Sequence, residues 1–226
     1  MRVRLFTFCM LGLVGLAQLG LGAGSARASL LLNFAQTSNN NTIVGTKTGD
    51  TGFTIAGTDI PILITQIDPS TGLSGSINAY LTVNVASTAA AVSAVGVDVQ
   101  AFSGLITVTS GTGGTGTNYL STTTLSAGAA GQDGSQTLVL GSTNGGVAFT
   151  SDVFPTMLAP QSISLQLAHV LPSVGVSGNS LADFTASVTG TASASLAIPE
   201  PSSIVAAMIG LAIVAPIGRR RLARKS

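Results

Sequence analysis

His169 is the only imidazole in this chain of 226 residues, so any Ser-His-Asp hydrolase built from it must use His169 as the base. Its setting argues for packing instead. Alternation along residues 162–169 places it on the same strand face as Ile163, Leu165 and Leu167, where a core or strand-end histidine is expected. Glycoside hydrolysis needs two carboxyl groups with separated pKa values. Residues 29–198 offer seven Asp and no Glu, mostly in the turn contexts Gly49-Asp50, Thr58-Asp59, Asp68-Pro69, Gln132-Asp133-Gly134 and Ser151-Asp152. Asx turns and caps account for such residues. A Ca²⁺ site built from Asp68 or Asp133 with loop carbonyls lacks the EF-hand spacing, and Gly111–Gly116 has neither a lysine nor P-loop spacing. The counts therefore name no catalytic residue, no cofactor and no metal ligand, and the expectation is a protein that is not an enzyme.

The residues that do form chemical patterns are at the two ends. Arg2 and Arg4 precede an uncharged, Leu- and Gly-rich run from Leu5 to Leu21, which leads into the small residues Gly22–Ala28. This is the layout of a secretory signal peptide over 1–28, with Ala26 and Ala28 filling the small side-chain pockets of signal peptidase and Ser29 as the new N-terminus. Cys9, the only thiol, lies inside the removable segment. A mature chain without it has no disulfide framework, thiol nucleophile or Cys-ligated zinc. Adjacent twin arginines are absent, which favours general secretion in the unfolded state.

At the other end Ile198-Pro199-Glu200-Pro201 is followed by the apolar stretch Ile204–Gly218 and then by Arg219, Arg220, Arg221, Arg224 and Lys225. Two prolines with fixed φ and no N–H, each preceded by a residue biased to extended backbone, make a stiff strip suited to presentation to a processing enzyme. Ser202 or Ser203 can cap the apolar helix over 203–218, which spans about 25 Å, slightly short for a hydrocarbon core of about 30 Å. Pro216 can kink or end it earlier. The arginines after it snorkel to the headgroups and, by the positive-inside rule, stay cytoplasmic.

Over residues 198–226 the chain resembles the PEP-CTERM proteins of Gram-negative bacteria, which end in a Pro-Glu-Pro motif, a short hydrophobic helix and an Arg-rich tail. The resemblance implies recognition by exosortase, cleavage near Pro199–Pro201, a transient inner-membrane anchor, and release or transfer to the cell surface or extracellular matrix. It also implies a setting in which exopolysaccharide is often made. Signal peptidase and exosortase are thus the expected processing partners.

Between these signals, alternation dominates. Phe184–Leu196 has an apolar residue or Gly at every second position with hydroxylic neighbours, and Ser76–Val85 repeats the pattern. Further strands are expected at Leu30–Gln36, Ile60–Ile67, Val92–Ala101, Leu105–Thr109, Thr137–Leu140, Val147–Thr150 and Ser162–His169. Gly111–Gly116, Ala127–Gly134 and Asn144–Gly146 read as Gly-rich turns or loops, and the alanines after Ser87 suggest one short helix over Ser87–Ala94. About ten short strands in this length fit one all-β domain over 29–197, an antiparallel β-sandwich of jelly-roll or Ig-like type, flanked by the signal helix and the transmembrane helix.

Charge narrows the function classes. Only 8% of residues are charged, against roughly 25% in ordinary domains. The net charge of +1 conceals two basic ends around a middle with one lysine, Lys47, and seven Asp, a balance of −6 that argues against nucleic-acid binding. A structural or adhesive surface protein fits a low-charge, Ser/Thr-rich domain. A carbohydrate-binding module of the exopolysaccharide layer is the alternative, with Tyr80 and Tyr119 as the only amphipathic aromatics in a chain without Trp. A remote third reading is ice binding by Thr107, Thr109, Thr115, Thr117 and Thr122–Thr124, whose spacings are irregular.

Overall fold

Alternating residues make strands that bury one face and wet the other, and here they do so from Ala28 to Leu196. The computed structural model describes residues 28–38, 40–154 and 156–196. Ala26, the Pro199-Glu200-Pro201 motif, the helix expected over 203–218, the signal helix and Arg219, Arg220, Arg221, Arg224 and Lys225 lie outside the described residues. Twelve strands follow one another: β1 (Ala28–Gln36), β2 (Ile43–Lys47), β3 (Phe53–Ile67), β4 (Ile77–Ser87), β5 (Val92–Ala94), β6 (Val97–Thr109), β7 (Asn118–Gln132), β8 (Thr137–Thr150), β9 (Met157–Leu171), β10 (Val176–Ser177), β11 (Ser180–Leu181) and β12 (Phe184–Leu196). Among the described residues no helix is long and apolar enough to cross a membrane.

The sheet closes on itself. β12 pairs with β9 along one edge, and along the other with β1 from Ala28↔Ser195 to Ala35↔Thr189 and then with β2 from Ile43↔Ala186 to Gly45↔Phe184. Both β1 and β2 also run antiparallel to β3, so they lie end to end in one strand position. The circuit is then β1/β2, β3, β4, β6, β7, β8, β9 and β12: eight antiparallel positions, each beside its chain neighbour. This up-and-down barrel replaces the expected pair of packed sheets. Alternation along each strand is the same in both architectures, and only the β9–β12 pairing removes the free edges that a sandwich would keep.

Side chains repair the break between β1 and β2. The Gln36 side-chain Oε1 accepts from the Val188 N–H at 3.2 Å, and the Asn41 side-chain amide donates to the Thr185 backbone carbonyl at 3.4 Å. Backbone groups of β12 that face the break thus keep partners.

The interior is filled rather than hollow. Phe34, Phe53, Phe102, Ile55, Ile62, Ile64, Leu81, Val85, Leu140, Leu165 and Val188 are all buried in one apolar core. Phe53 meets Phe102 edge-on at 6.3 Å and stacks on Phe184 at 5.8 Å. Glycines make the room: a Cβ on Gly190 would collide with the Phe34 ring, and one on Gly45 with the Phe184 ring.

Bulges reset the alternation, two of them at positive-φ residues. In β3 the register slips between Gly57 and Ile60, with Asp59 at φ 52°, so the buried set changes from Phe53 and Ile55 to Ile60, Ile62 and Ile64. In β9 the slip opposite Thr185–Ser187 puts His169 at φ 53° and turns it out to solvent, while Val170 takes the inward place. His169 therefore does not share the face of Ile163, Leu165 and Leu167; the extra residue of the bulge shifts its parity.

Three local expectations also change. Ser87–Ala94 is not a helix: the Ser87 hydroxyl accepts from Phe53 N–H at 2.9 Å, and Val92–Ala94 pairs with β6. Ala127–Gln132 is strand rather than loop, because β6 and β8 pair with it from both sides, leaving only the turn at Asp133–Gly134. Asn144–Gly146 sits within a wide bulge in β8, where Ser142 pairs with Ala127 and Val147 with Leu125.

Candidate functional site

The barrel has two dissimilar ends. Ala28 and Leu196 lie at one, with the loops after β3, β6 and β8; the opposite end is covered by the segment 172–183, which carries the β10–β11 hairpin. Each end holds residues that chemistry could use.

At the terminal end, Ala28 pairs with Ser195 and Ser29 with Ala194, and the Ser29 hydroxyl donates to the Ala194 carbonyl at 3.4 Å. The junction expected for signal peptidase thus lies against the last strand, and Leu196 precedes the Pro199 motif by three residues. Among the described residues, the eight strand positions close without a gap.

At the covered end, Gln100 ties three segments together. Its oxygen accepts from Leu181 N–H at 3.1 Å, and its nitrogen donates to the carbonyls of Ala89 at 3.0 Å and Thr51 at 3.3 Å. One residue pair along β6, Asp98 is equally buried, and its Oδ2 has no partner. Beside the hairpin, the Asp183 carboxylate accepts from the Lys47 backbone N–H at 2.6 Å, and the Lys47 ammonium donates to the Ser177 carbonyl at 3.0 Å. A groove of about 250 Å³ runs between Val44, Leu171, Pro172 and Asp183. Its polar atoms serve neighbouring backbone, and it contains no nucleophile beside a base.

The one close Ser–His contact is on the outer wall. His169 Nδ1 lies 3.2 Å from Ser187 Oγ, whose hydroxyl donates to the Ala168 carbonyl at 3.1 Å. A hydroxyl committed to a carbonyl is not poised to pass its proton to the ring, and among the described residues no three His, Cys, Asp or Glu side chains gather around it or anywhere else. The remaining Asp residues mostly hold loops. Asp68 accepts from Ser70 N–H at 2.8 Å, Asp152 from Asn118 N–H at 2.8 Å, and Asp59 from Gly113 N–H at 2.7 Å, which pins the Gly-rich loop 111–116 to the outer wall. Asp68 is thus the cap of the turn that follows it.

The aromatic and hydroxyl candidates separate clearly. Tyr119 is buried and offers no platform, whereas Tyr80 is half-exposed on the outer wall between Pro61 and Thr109. Thr109 and Thr122 are also buried, and the Thr122 hydroxyl accepts from Ile106 N–H at 2.9 Å, so the threonines expected to share a wet face do not. The missed residues Gln100 and Asp98 carried one available signal: polar side chains at the inward positions of an alternating strand. Comparison with protein-family models, curated proteins and solved structures gave no match.

Proposed function

We propose that this chain is the precursor of an exported cell-surface or extracellular-matrix protein with a structural or adhesive role. In this reading a signal peptide over 1–28 is removed at Ala28–Ser29. The tail 198–226 then holds the protein in the inner membrane through 203–218, with Arg219–Arg221, Arg224 and Lys225 on the cytoplasmic side, until exosortase acts at Pro199–Pro201. The observation that carries the proposal is the pairing of Ala28 with Ser195, which sets the first and last strands of the closed circuit side by side. The first cut removes only Ala28 from β1 and the second falls beyond Leu196, so all eight strand positions of the circuit are kept.

Intact-mass measurement on protein from its native host tests this. The expected species starts at Ser29 and ends near Pro201; a mature species that retains Arg219–Lys225 overturns the sorting step. A second reading, binding of exopolysaccharide, is favoured by the half-exposed Tyr80 alone. Saturable binding on a glycan array that is lost in Tyr80→Ala would establish it over a purely structural role.

A further inference from the structure

The segment 172–183 covers one end of the barrel without belonging to its wall. Among the described residues its two short strands, β10 and β11, pair only with each other, in a sheet separate from the closed circuit. The hydrogen bonds that tie the segment down come from turns, loops and side chains. Val174 engages the β7–β8 turn with both backbone groups: its carbonyl accepts from Gly134 N–H and its N–H donates to the Ser135 carbonyl, each at 2.8 Å. The Asn179 carbonyl accepts from Ala91 N–H at 2.8 Å, the Gln100 side chain holds Leu181 N–H, and Lys47 holds the Ser177 carbonyl and the Asp183 carboxylate. None of these bonds is a rung between two strands of the circuit, so the segment can leave while all eight positions keep their partners.

Asp98 lies beneath this segment. It stands opposite Gly131 in the β6–β7 register, and a Cβ on Gly131 would reach the Val174 side chain at 3.1 Å. Two residues along the same inner face of β6, Gln100 is bonded to Leu181. Val174 and Leu181 are the buried apolar residues of the segment, so its two packed points bracket the Asp98 carboxylate. That carboxylate is 1% exposed and its Oδ2 has no partner. A buried oxygen in this position has given up its hydration and gained no bond in return, and lifting the segment restores the water.

We propose that segment 172–183 is a lid that lifts as a unit from a barrel that stays closed, and that the unpartnered carboxylate of Asp98 sets how often it does so. The two opposing groups sit on one strand: Gln100 latches the lid at Leu181, and Asp98, two residues earlier, favours its release. The open state uncovers Asp98 together with Ser180, which is 0% exposed when the lid is down.

Alkylation by iodoacetamide in the full chain tests this, with Cys9→Ser as background. Ser180→Cys places a thiol in the lid's buried face, and Val188→Cys places one on the buried inner face of β12. When closing is fast, each thiol reacts in proportion to the population of the state that exposes it. Ser180→Cys should therefore react about tenfold or more faster than Val188→Cys, because lifting the lid needs no rupture of the circuit. Adding Asp98→Asn should slow Ser180→Cys about tenfold, since a neutral amide loses less on burial than a carboxylate. Val174→Cys repeats the measurement at the lid's other packed point, and circular dichroism checks that every variant keeps its strand signal. Equal rates at positions 180 and 188 would mean that the end opens only when the barrel unfolds. A rate at 180 unchanged or raised by Asp98→Asn would take the carboxylate out of the balance. Either result, or loss of the strand signal in Asp98→Asn, overturns the proposal.

Discussion

The side chain of Gln100 accepts a hydrogen bond from the backbone N–H of Leu181, 81 residues away, at 3.1 Å. Its amide nitrogen meanwhile holds the carbonyls of Ala89 and Thr51. One buried amide thus joins the covering segment to two loops. Gln100→Leu keeps the bulk but leaves the Leu181 N–H and the Ala89 carbonyl without partners, while the Thr51 carbonyl keeps the Ser87 hydroxyl. About 2 kcal/mol of stability should be lost, a fall in melting temperature of about 4–8 °C by circular dichroism. Faster amide exchange at Leu181 in that variant would locate the damage, and an unchanged melting temperature would deny Gln100 this role.

Asp98 presents the opposite case. It is 1% exposed, directly across from Gly131, and its Oδ2 has no partner. Asp98→Asn removes a buried carboxylate whose Oδ2 has no partner without changing shape, and should stabilise the barrel by about 1–3 kcal/mol in urea titration at neutral pH. A loss of stability would mean that the carboxylate has a partner in solution.

Glycine at 190 and 45 is a packing requirement. Gly190→Ala drives a methyl group into the Phe34 ring and toward Leu165, and Gly45→Ala does the same at Phe184. Each should cost about 1–3 kcal/mol by overpacking. Gly134→Ala, which meets open space at φ 74°, makes a comparison in which only backbone strain is added.

If the ends are processed as proposed, each cut should have its own lesion. Ala28→Phe cannot enter a small side-chain pocket, so the precursor should keep its first 28 residues by intact mass. Glu200→Lys should leave that cut intact and retain the C-terminal segment. Normal trimming of both variants would separate the ends from the enzymes named for them.

Alternation and turn residues were enough to read an all-β antiparallel domain and most of its strands, because each is a local property of consecutive residues. Phe184–Leu196 declares its wet and dry faces in its own order of Ser, Thr and small apolar side chains. His169 shows where such reading stops. Parity counts assume an unbroken pleat, and one extra residue in β9 turns the ring from core to solvent. The same holds for Ala127–Gln132, whose small residues look like a loop until β6 and β8 flank them.

What only the tertiary structure decided is closure. A strand's sequence states which face is buried but not which strand lies at its edge, since backbone hydrogen bonds are the same for any partner. The pairing of β12 with β9, β1 and β2 turned an expected sandwich into a barrel. It also brought Ala28 beside Ser195 and closed the edges of the eight long strand positions.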